Sequence, residues 1–451
     1  MDPLLFVAMP FGKKKDNKRA IEIDFDQIYE EVIKPVAESE NVNIIRADEE
    51  RMGGIIHLPM FERLLLAEIV IADLTIPNPN VFYELGVRHC AKPRSTILIF
   101  SDDTQLPFDL IPIRGLPYHL KEGRLDEDKK EDFVKKLKDL IKDAKEDLEA
   151  KDSPLFQLIA EFPGIDLPHD VTESFRDRVE KIGDLQHEMK LIRSYENKKK
   201  AITELFEIEE SLGEINSAPL EVVIDLLLSY RDVNAYTKMI ELYRKIPREV
   251  KNSSSTLREQ YAFALNRRNS EGDRQEAIHI IEGVMKQFGP SPESCGILGR
   301  IYKDRYEENK ESNREVAKAY LTKAIEVYYE GFKADPRDFY PGINAVTLAY
   351  LNDDHEKVKE LISAVAFAVT RRGGLNSNNY WEVATVLELA VLNKDWEFAN
   401  RALQKSIILE APSWSYETTF RNLDKIRGKK KELGDDLKEV EHILETLKSL
   451  F

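Results

Sequence analysis

Five short apolar runs, separated by segments with helical spacing, constrain the fold of the first 125 residues more than any other feature. The runs are LLFVAMP (4–10), VNIIRAD (42–48), IVIADL (69–74), STILIF (95–100) and the weaker LPYHL (116–120). Strands that are buried on both faces of a sheet are almost continuously apolar, whereas half-exposed strands alternate apolar and polar residues. The pattern therefore predicts an α/β domain with a flavodoxin-like, doubly wound parallel sheet.

A change of composition near Asp126 marks the end of this domain. The next segment is highly charged and predicts an amphipathic helix, and chain-breaking residues follow between Pro163 and Pro168. We find no strand-like pattern after residue 170. We therefore predict three parts: an α/β domain over 1–125, a charged helix and linker over 126–170, and an all-α domain over 171–451.

Small and aromatic residues recur in the helical part at intervals that resemble the tetratricopeptide repeat. In that repeat small residues let two helices cross closely, and a proline ends the second helix. The residues with this spacing are Gly299, Tyr302, Ala324, Tyr328, Gly331 and Pro336. The interval from Gly299 to Ala324 is longer than the consensus, which we interpret as a surface insertion or a lengthened helix pair at DRYEENKESNRE (304–315). A tetratricopeptide-like helical solenoid is the prediction, and a generic helical bundle is the alternative.

The acidic composition limits the classes of partner. The formal net charge is -16, which argues against nucleic acid because phosphate binding requires a concentrated positive face. Cys90 and Cys295 lie far apart and match neither a disulfide framework nor a metal site. We see no signal peptide and no apolar run of membrane-spanning length. We therefore expect a soluble, cytoplasmic protein with no metal site and no nucleic-acid or membrane partner.

Two carboxylates flank the crossing from the third strand to the next helix, in IVIADLTIPNPNVFYELG (69–86). In a flavodoxin-like order, strands one and three are neighbours where ligands bind, so the loops after them would face one crevice. Asn80 predicts the N-cap of a helix over 81–91, and the helix dipole then favours an ionised Glu84 in the first turn. Asp73, at the strand end, is placed to hold ribose hydroxyls. Two carboxylates around an anomeric carbon are the arrangement that sugar–base cleavage requires, so Glu84 and Asp73 are the candidate catalytic residues.

Other residues at the ends of the same strands are candidates for substrate binding. Phe11 offers an aromatic face to a base, and Gly12 lets the backbone approach a ligand closely. The remaining candidates are Pro10, Asn78, Asn80 and Asp48.

Structural explanations for the same residues stay open. Glu84 and Arg88 have the spacing of an ion pair on one helix face. Asp73 is equally suited to capping a turn, and the asparagines between the prolines to shaping the loop.

The motifs FVAMPFG, IVIADLTIPNPNVFYELGVRH and TILIF together resemble the nucleoside 2-deoxyribosyltransferase-like branch of the TIR-like superfamily. They are most similar to the deoxyribohydrolase-type domain in the regulatory region of apoptosis signal-regulating MAP kinase kinase kinases. The helical remainder resembles the TRAFs-binding, tetratricopeptide-like domain that follows it there. The resemblance implies that Glu84 attacks the anomeric carbon, that Asp73 contacts the nucleoside and that Phe11 is the aromatic residue of the first loop. We see no kinase domain after the helices, which predicts a stand-alone sensor–effector chain.

Two functions follow from these observations. The first is an N-glycosidase, a hydrolase that cleaves the bond between ribose and base in NAD or another nucleotide, with helical repeats that control it in stress or antiviral defence signalling. It needs no cofactor, because the nucleotide is the substrate. The alternative is a non-catalytic signalling scaffold that binds a nucleotide or oligomerises through the α/β domain and recruits protein through the helical repeats. We favour the N-glycosidase because both acids lie beside an aromatic, glycine-containing loop.

Overall fold

Strands and helices alternate through the first part of the chain in the computed structural model, which describes residues 3–16, 19, 21–46, 57–106, 110, 115–147, 151–159, 162 and 169–451. For 57–59 and 169–180 the description covers the backbone alone. The strands are β1 (Leu4–Ala8), β2 (Lys13–Asp16), β3 (Ile21–Asp24), β4 (Asn43–Arg46), β5 (Ile69–Asp73), β6 (Thr96–Ser101), β7 (Gly115–Tyr118), β8 (Leu120–Lys121) and β9 (Arg124–Leu125). The helices up to residue 233 are α1 (Phe25–Ile28), α2 (Lys34–Ser39), α3 (His57–Leu66), α4 (Pro79–Ala91), α5 (Glu127–Glu146), α6 (Pro154–Leu158), α7 (His169–Arg193), α8 (Lys198–Ser211) and α9 (Leu220–Asp232), with a π-helical turn at Tyr29–Ile33.

A parallel sheet with the order β4-β1-β5-β6-β7 forms the centre of this part. Ala8 of β1 lies opposite Ala72 of β5, so the carboxyl ends of these two strands meet at one edge of the sheet. The hairpins β2-β3 and β8-β9 are antiparallel and lie outside the sheet. The predicted parallel α/β sheet is confirmed, and its strand order is the one expected of a flavodoxin-like sheet.

Both faces of the sheet are covered, which explains the continuous apolar runs. Leu5 and Val7 point into a core shared with α1, α2 and α5, whereas Leu4, Phe6 and Ala8 point into a second core shared with α3 and α4. Full burial of one such side chain contributes roughly 1.5–3 kcal/mol. Because alternate residues of β1 serve two cores, neither set can be polar.

The charged segment after residue 125 forms α5. The side chain of Asp126 accepts a hydrogen bond of 3.2 Å from the backbone N–H of Asp128, which caps the helix. Phe133, Leu137 and Ile141 form its buried stripe against the sheet. The predicted domain boundaries at 125 and 170 stay predictions, and the chain-breaking residues 163–168 lie outside the described residues.

The chain divides into two compact units, Met1–Val233 and Asn234–Phe451. The helices of the second unit are α10 (Tyr236–Lys245), α11 (Arg248–Ser253), α12 (Ser255–Arg268), α13 (Asp273–Phe288), α14 (Pro292–Asn309), α15 (Arg314–Ala334), α16 (Phe339–Leu351), α17 (His355–Arg372), α18 (Tyr380–Asn393), α19 (Trp396–Ile408), α20 (Ser413–Glu432) and α21 (Lys438–Lys448), with a short 3-10 turn at Gly374–Asn376. Within the described range 169–451 there are helices and connecting turns but no strand. The predicted all-α part is therefore confirmed.

Two glycines allow α14 and α15 to cross closely. A Cβ atom on Gly299 would lie 2.8 Å from the ring of Tyr328, and one on Gly331 would lie 2.6 Å from the Cβ of Cys295. Both distances are too short for any side chain, so glycine is needed at these crossings. The sequence predicted this role for small residues correctly.

The polar segment 304–315 lengthens this helix pair. Residues 304–309 form the last turns of α14, and α15 begins at Arg314. All of 304–315 is half-buried or exposed. The segment is thus an extension of two helices at the surface, which is one of the two interpretations that its polarity allowed.

Candidate functional site

The loops after β1 and β5 meet at the edge of the sheet where a ligand site was expected. Parallel pairing runs from Leu5 opposite Ile69 to Ala8 opposite Ala72, so both chains leave the sheet side by side. The segments 9–12 and 74–78 therefore start as neighbours. This arrangement places Asp73 and Phe11 at the same end of the sheet, whereas Asp48 lies outside the described residues.

Asp73 is fully buried and both of its carboxylate oxygens accept hydrogen bonds from the protein. The backbone N–H of Thr75 donates to Oδ1 at 2.9 Å, and the hydroxyl of Tyr118 donates to Oδ2 at 2.9 Å. Burial raises the pKa of Asp73 to about 6, although both bonds oppose the shift. The carboxylate thus holds the turn after β5, as the turn-capping alternative predicted.

A network of hydrogen bonds extends from this carboxylate to the neighbouring strands. Thr75 Oγ1 lies 2.5 Å from the Tyr118 hydroxyl and accepts from the backbone N–H of Ser101 at 2.9 Å. Arg19 donates to Ser101 Oγ at 3.0 Å and to the carbonyl of Thr75 at 3.4 Å. The ends of β5, β6 and β7 are therefore joined by side chains.

The sequence pattern does not indicate Tyr118 or Arg19. LPYHL gave only a weak strand signal, and nothing local links Tyr118 to a carboxylate 45 positions earlier. A polar hydroxyl inside an otherwise apolar strand was the one available signal.

Helix α4 begins two residues earlier than predicted. Asn78 is its N-cap, because its side chain accepts a hydrogen bond of 3.0 Å from the backbone N–H of Asn80, and Pro79 is the first helical residue. The prediction that Asn80 caps the helix was wrong, since proline at the first position favours a start at Pro79. Glu84 is consequently the sixth helical residue and lies beyond the first turn.

Glu84 is buried without a partner. Its side chain is 8% exposed, and within the described part of the chain it has no hydrogen-bonding or ion-pairing partner. Burial raises the pKa of Glu84 to about 7. The prediction that the helix dipole favours an ionised Glu84 was wrong, because the cost of burial exceeds the stabilisation by the dipole, whose effect fades after the first turn.

Arg88 does not pair with Glu84. Its buried guanidinium donates to the carbonyls of Leu64 at 2.9 Å, Ala67 at 2.8 Å and Glu68 at 3.1 Å. These carbonyls lie at and after the end of α3, where a helix leaves its last acceptors unsatisfied. Arg88 therefore caps α3, and the alternative of an ion pair between Glu84 and Arg88 is wrong.

The first loop presents an exposed aromatic ring. Phe11 is 52% exposed, and Lys14 Nζ lies 4.7 Å from its ring centroid. Gly12 has φ +66° and donates its backbone N–H to Asp26 Oδ1 at 3.0 Å, while Pro10 is buried. Gly12 is required for this turn, because other residues rarely adopt that φ.

Two further findings bear on the site. Across the part of the chain that the structure describes, no cluster of three or more His, Cys, Asp or Glu side chains is arranged to hold a metal ion. None of the described helices combines the length and the apolar composition that crossing a bilayer requires.

Comparison with known proteins identifies the family. The family model for the MAP3K TRAFs-binding domain matches residues 81–445. The chain belongs to this family. It is homologous to MAP kinase kinase kinases of the apoptosis signal-regulating type, which the sequence motifs indicated.

Three relatives show how much of a MAP kinase kinase kinase this chain matches. Mitogen-activated protein kinase kinase kinase 5 of Homo sapiens is 27% identical over 428 residues, which are 84% of this chain and 29% of that protein. Mitogen-activated protein kinase kinase kinase nsy-1 of Caenorhabditis elegans is 35% identical over 215 residues, or 44% of this chain and 14% of that protein. Mitogen-activated protein kinase kinase kinase 15 of Mus musculus is 29% identical over 244 residues, which are 51% of this chain and 18% of that protein. The chain spans less than a third of the length of each relative.

These relatives overturn the N-glycosidase hypothesis. They are named as mitogen-activated protein kinase kinase kinases, and the matching family is described as a TRAFs-binding domain. Neither description is that of a hydrolase acting on NAD or a nucleotide, so the predicted N-glycosyl hydrolase activity is wrong. The catalytic roles given to Glu84 and Asp73 depended on that reaction.

Proposed function

We propose that this chain is a non-catalytic signalling scaffold of the MAP kinase kinase kinase type, which recruits TRAF proteins through its helices in the cytoplasm. The observation that carries the proposal is the family match over residues 81–445. It covers most of the helices, which are the natural surface for a protein partner. A non-catalytic scaffold that recruits protein was the alternative hypothesis from the sequence, and the homology favours it.

The helices are proposed to form a tetratricopeptide-like solenoid over 171–451. Support comes from the close crossing of α14 and α15 at Gly299 and Gly331, and from contacts between alternate helices such as α14 with α16 and α18 with α20. Stacked helix pairs of this kind create long concave surfaces that bind proteins.

The α/β domain over 1–125 is proposed to be TIR-like and to act by binding a nucleotide or by oligomerising. The exposed ring of Phe11 and the open side of Gly12 support a contact surface at the edge of the sheet. Pro10, Asn78, Asn80 and Asp48 remain candidate contacts. Sedimentation of the chain without nucleotide tests oligomerisation, and equilibrium dialysis against ATP tests nucleotide binding.

Binding of purified TRAF proteins to the full chain tests the proposed function. We expect saturable binding with a Kd of about 10 μM or tighter, which corresponds to about -7 kcal/mol. The unit Met1–Val233 is the control and should bind at least about tenfold more weakly, because it lacks α10 to α21, which are most of the helices to which recruitment is assigned. Absence of binding by the full chain at about 100 μM would refute the proposal.

A further inference from the structure

The connection between α12 and α13 contains a serine that follows two arginines. The sequence is RRNSEGD (267–273), with Ser270 three positions after Arg267 and two after Arg268. The chain has one other pair of adjacent arginines, at 371–372, and glycine occupies both positions after it. Arginines at these two positions before a serine are the pattern that arginine-directed protein kinases select, because carboxylates of such a kinase pair with the guanidinium groups.

The backbone geometry makes this serine accessible. Ser270 lies in the turn 269–272, between the end of α12 and the start of α13. Asn269 has φ 53° and Gly272 has φ 83°, so the chain bends on either side of the serine. The side chains of Ser270 and Arg267 are both exposed. A kinase holds its substrate in an extended conformation, which a surface turn can adopt by local opening while the helices beside it stay folded.

A buried carboxylate holds the turn in place. Asp273 accepts hydrogen bonds from Arg268 Nε at 2.8 Å, from Arg268 Nη2 at 2.6 Å and from the backbone N–H of Ser270 at 2.8 Å. Arg267 is instead at the surface, with its guanidinium carbon 5.1 Å from the ring centroid of Phe263. Arg267 is therefore the arginine that a kinase can reach more easily.

Acidic residues follow the same serine, so a kinase that selects acids is the alternative. Glu271 is exposed, but Asp273, the acid three positions after the serine, is 3% exposed and both of its oxygens are engaged. A kinase that selects this acid would have to break the bonds that hold the turn. The accessible charge of Arg267 favours an arginine-directed kinase.

We propose that Ser270 is a phosphorylation site for an arginine-directed protein kinase. The kinase supplies ATP with Mg²⁺, and the Oγ of Ser270 attacks the γ-phosphorus. A bond forms between Oγ and phosphorus while the bond from phosphorus to the β,γ-bridging oxygen breaks, ADP leaves, and the hydroxyl proton passes to a carboxylate of the kinase. Modification of this serine does not depend on the proposed recruitment of TRAF proteins.

A phosphate at this position would lie close to Arg268. The backbone of Ser270 and the guanidinium of Arg268 bind the same carboxylate, and phosphoserine carries a charge of about -1.5 to -2 with three acceptor oxygens. The phosphate therefore competes with Asp273 for Arg268. Modification would thus change the contact that joins the end of α12 to the start of α13.

Phosphorylation of the purified full chain tests the proposal. The chain is incubated with ATP labelled in its γ-phosphoryl group and with the catalytic subunit of cyclic AMP-dependent protein kinase, an arginine-directed enzyme. We expect mass spectrometry of proteolytic fragments to locate the phosphate at Ser270. Ser270→Ala should remove the label, whereas Ser312→Ala, which alters an exposed serine between α14 and α15, should keep it in full.

Arg267→Ala should lower kcat/KM for phosphorylation at least about tenfold, because a charge-assisted hydrogen bond to the kinase is lost. Arg371→Ala is the matched control, since it removes an exposed arginine of the other arginine pair, in the last turn of α17, and it should leave kcat/KM unchanged. Circular dichroism checks that all variants remain helical.

A peptide of residues 263–276 provides the same sequence outside the fold. Phosphorylation of this peptide but not of the full chain would overturn the proposal, because the serine would then be inaccessible in the folded protein. Full labelling of Ser270→Ala would overturn it as well. Faster labelling of Ser270 by casein kinase 2, an acid-directed enzyme, would overturn the assignment to an arginine-directed kinase.

Discussion

Glu84 and Arg88 lie on one helix face, but only Arg88 has hydrogen-bonding partners. Their spacing permits an ion pair, yet Arg88 caps the end of α3 and Glu84 is buried without a partner. The three carbonyls around Arg88 come from residues about twenty positions away in sequence. Local spacing contains no information about such acceptors, so the sequence could not decide between the two arrangements.

Glu84→Gln should stabilise the protein in a pH-dependent manner. The pKa of Glu84 is about 7 in the folded chain and 4.5 at its ordinary value, so the free energy of unfolding of the unaltered chain falls as pH rises from about 4.5 to 7. Glutamine cannot ionise, so this position no longer lowers the free energy of unfolding of the variant between these pH values. Since one pKa unit corresponds to about 1.4 kcal/mol, the gain should approach about 3 kcal/mol at pH 8 and be near zero at pH 4.

Denaturant unfolding across this pH range measures the effect. Glu146→Gln, at the exposed end of α5, is the control and should change the free energy of unfolding by no more than about 0.5 kcal/mol. A gain from Glu84→Gln that is equal at pH 4 and pH 8 would show that the buried charge is not its cause.

At the scale of the elements, apolar patterning located the sheet and the helices but missed the contacts that depend on distant residues. The runs at 4–10, 69–74 and 95–100 predicted three central strands, because burial on both faces demands apolar residues at every position. The hairpin of β2 and β3 was missed, since Lys13, Lys14 and Lys15 have no apolar alternation. The bonds of Asp73 were missed because Tyr118 comes from another strand.

Gly331→Ala should destabilise the second unit even though alanine favours a helix. The new methyl group would lie 2.6 Å from the Cβ of Cys295 and 3.3 Å from the Cβ of Pro341. Overpacking of this kind costs about 1–3 kcal/mol, which exceeds the roughly 1 kcal/mol gained from helix propensity. Equilibrium unfolding followed by circular dichroism should show the loss.

Gly428→Ala is the matched control for this substitution. Gly428 lies within α20, and nothing approaches within 4 Å of the position its Cβ would take. We expect this variant to gain about 0.5–1 kcal/mol. Stabilisation by both substitutions would mean that α14 and α15 do not cross as closely as the structure indicates.

At the scale of the whole molecule, the compact units divide the chain at Val233 rather than at the change of composition. The sequence predicted a helical part after the sheet, because strands and helices have different periods. It could not show that α7, α8 and α9 belong with the first unit, since helices of either unit have the same apolar spacing.

The two units should fold separately. Each has its own buried side chains, such as Val7 and Ile71 in the first unit and Leu387 and Val391 in the second. We expect the expressed segments 1–233 and 234–451 each to fold on its own, because each has its own hydrophobic core. Loss of helical signal from the isolated second segment would contradict this division.

The ion pair between Lys425 and Glu307 joins residues 118 positions apart, and α16 also contacts α20. Arrays of stacked helices whose members touch only their nearest neighbours can lose order one pair at a time from either end. Here the detachment of α20 would also remove contacts from α14 and α16. Unfolding at the carboxyl end therefore costs free energy in helices far from that end. The second unit should therefore unfold more cooperatively than a row of separable repeats. The last helices to be synthesised should add to the stability of the earlier ones.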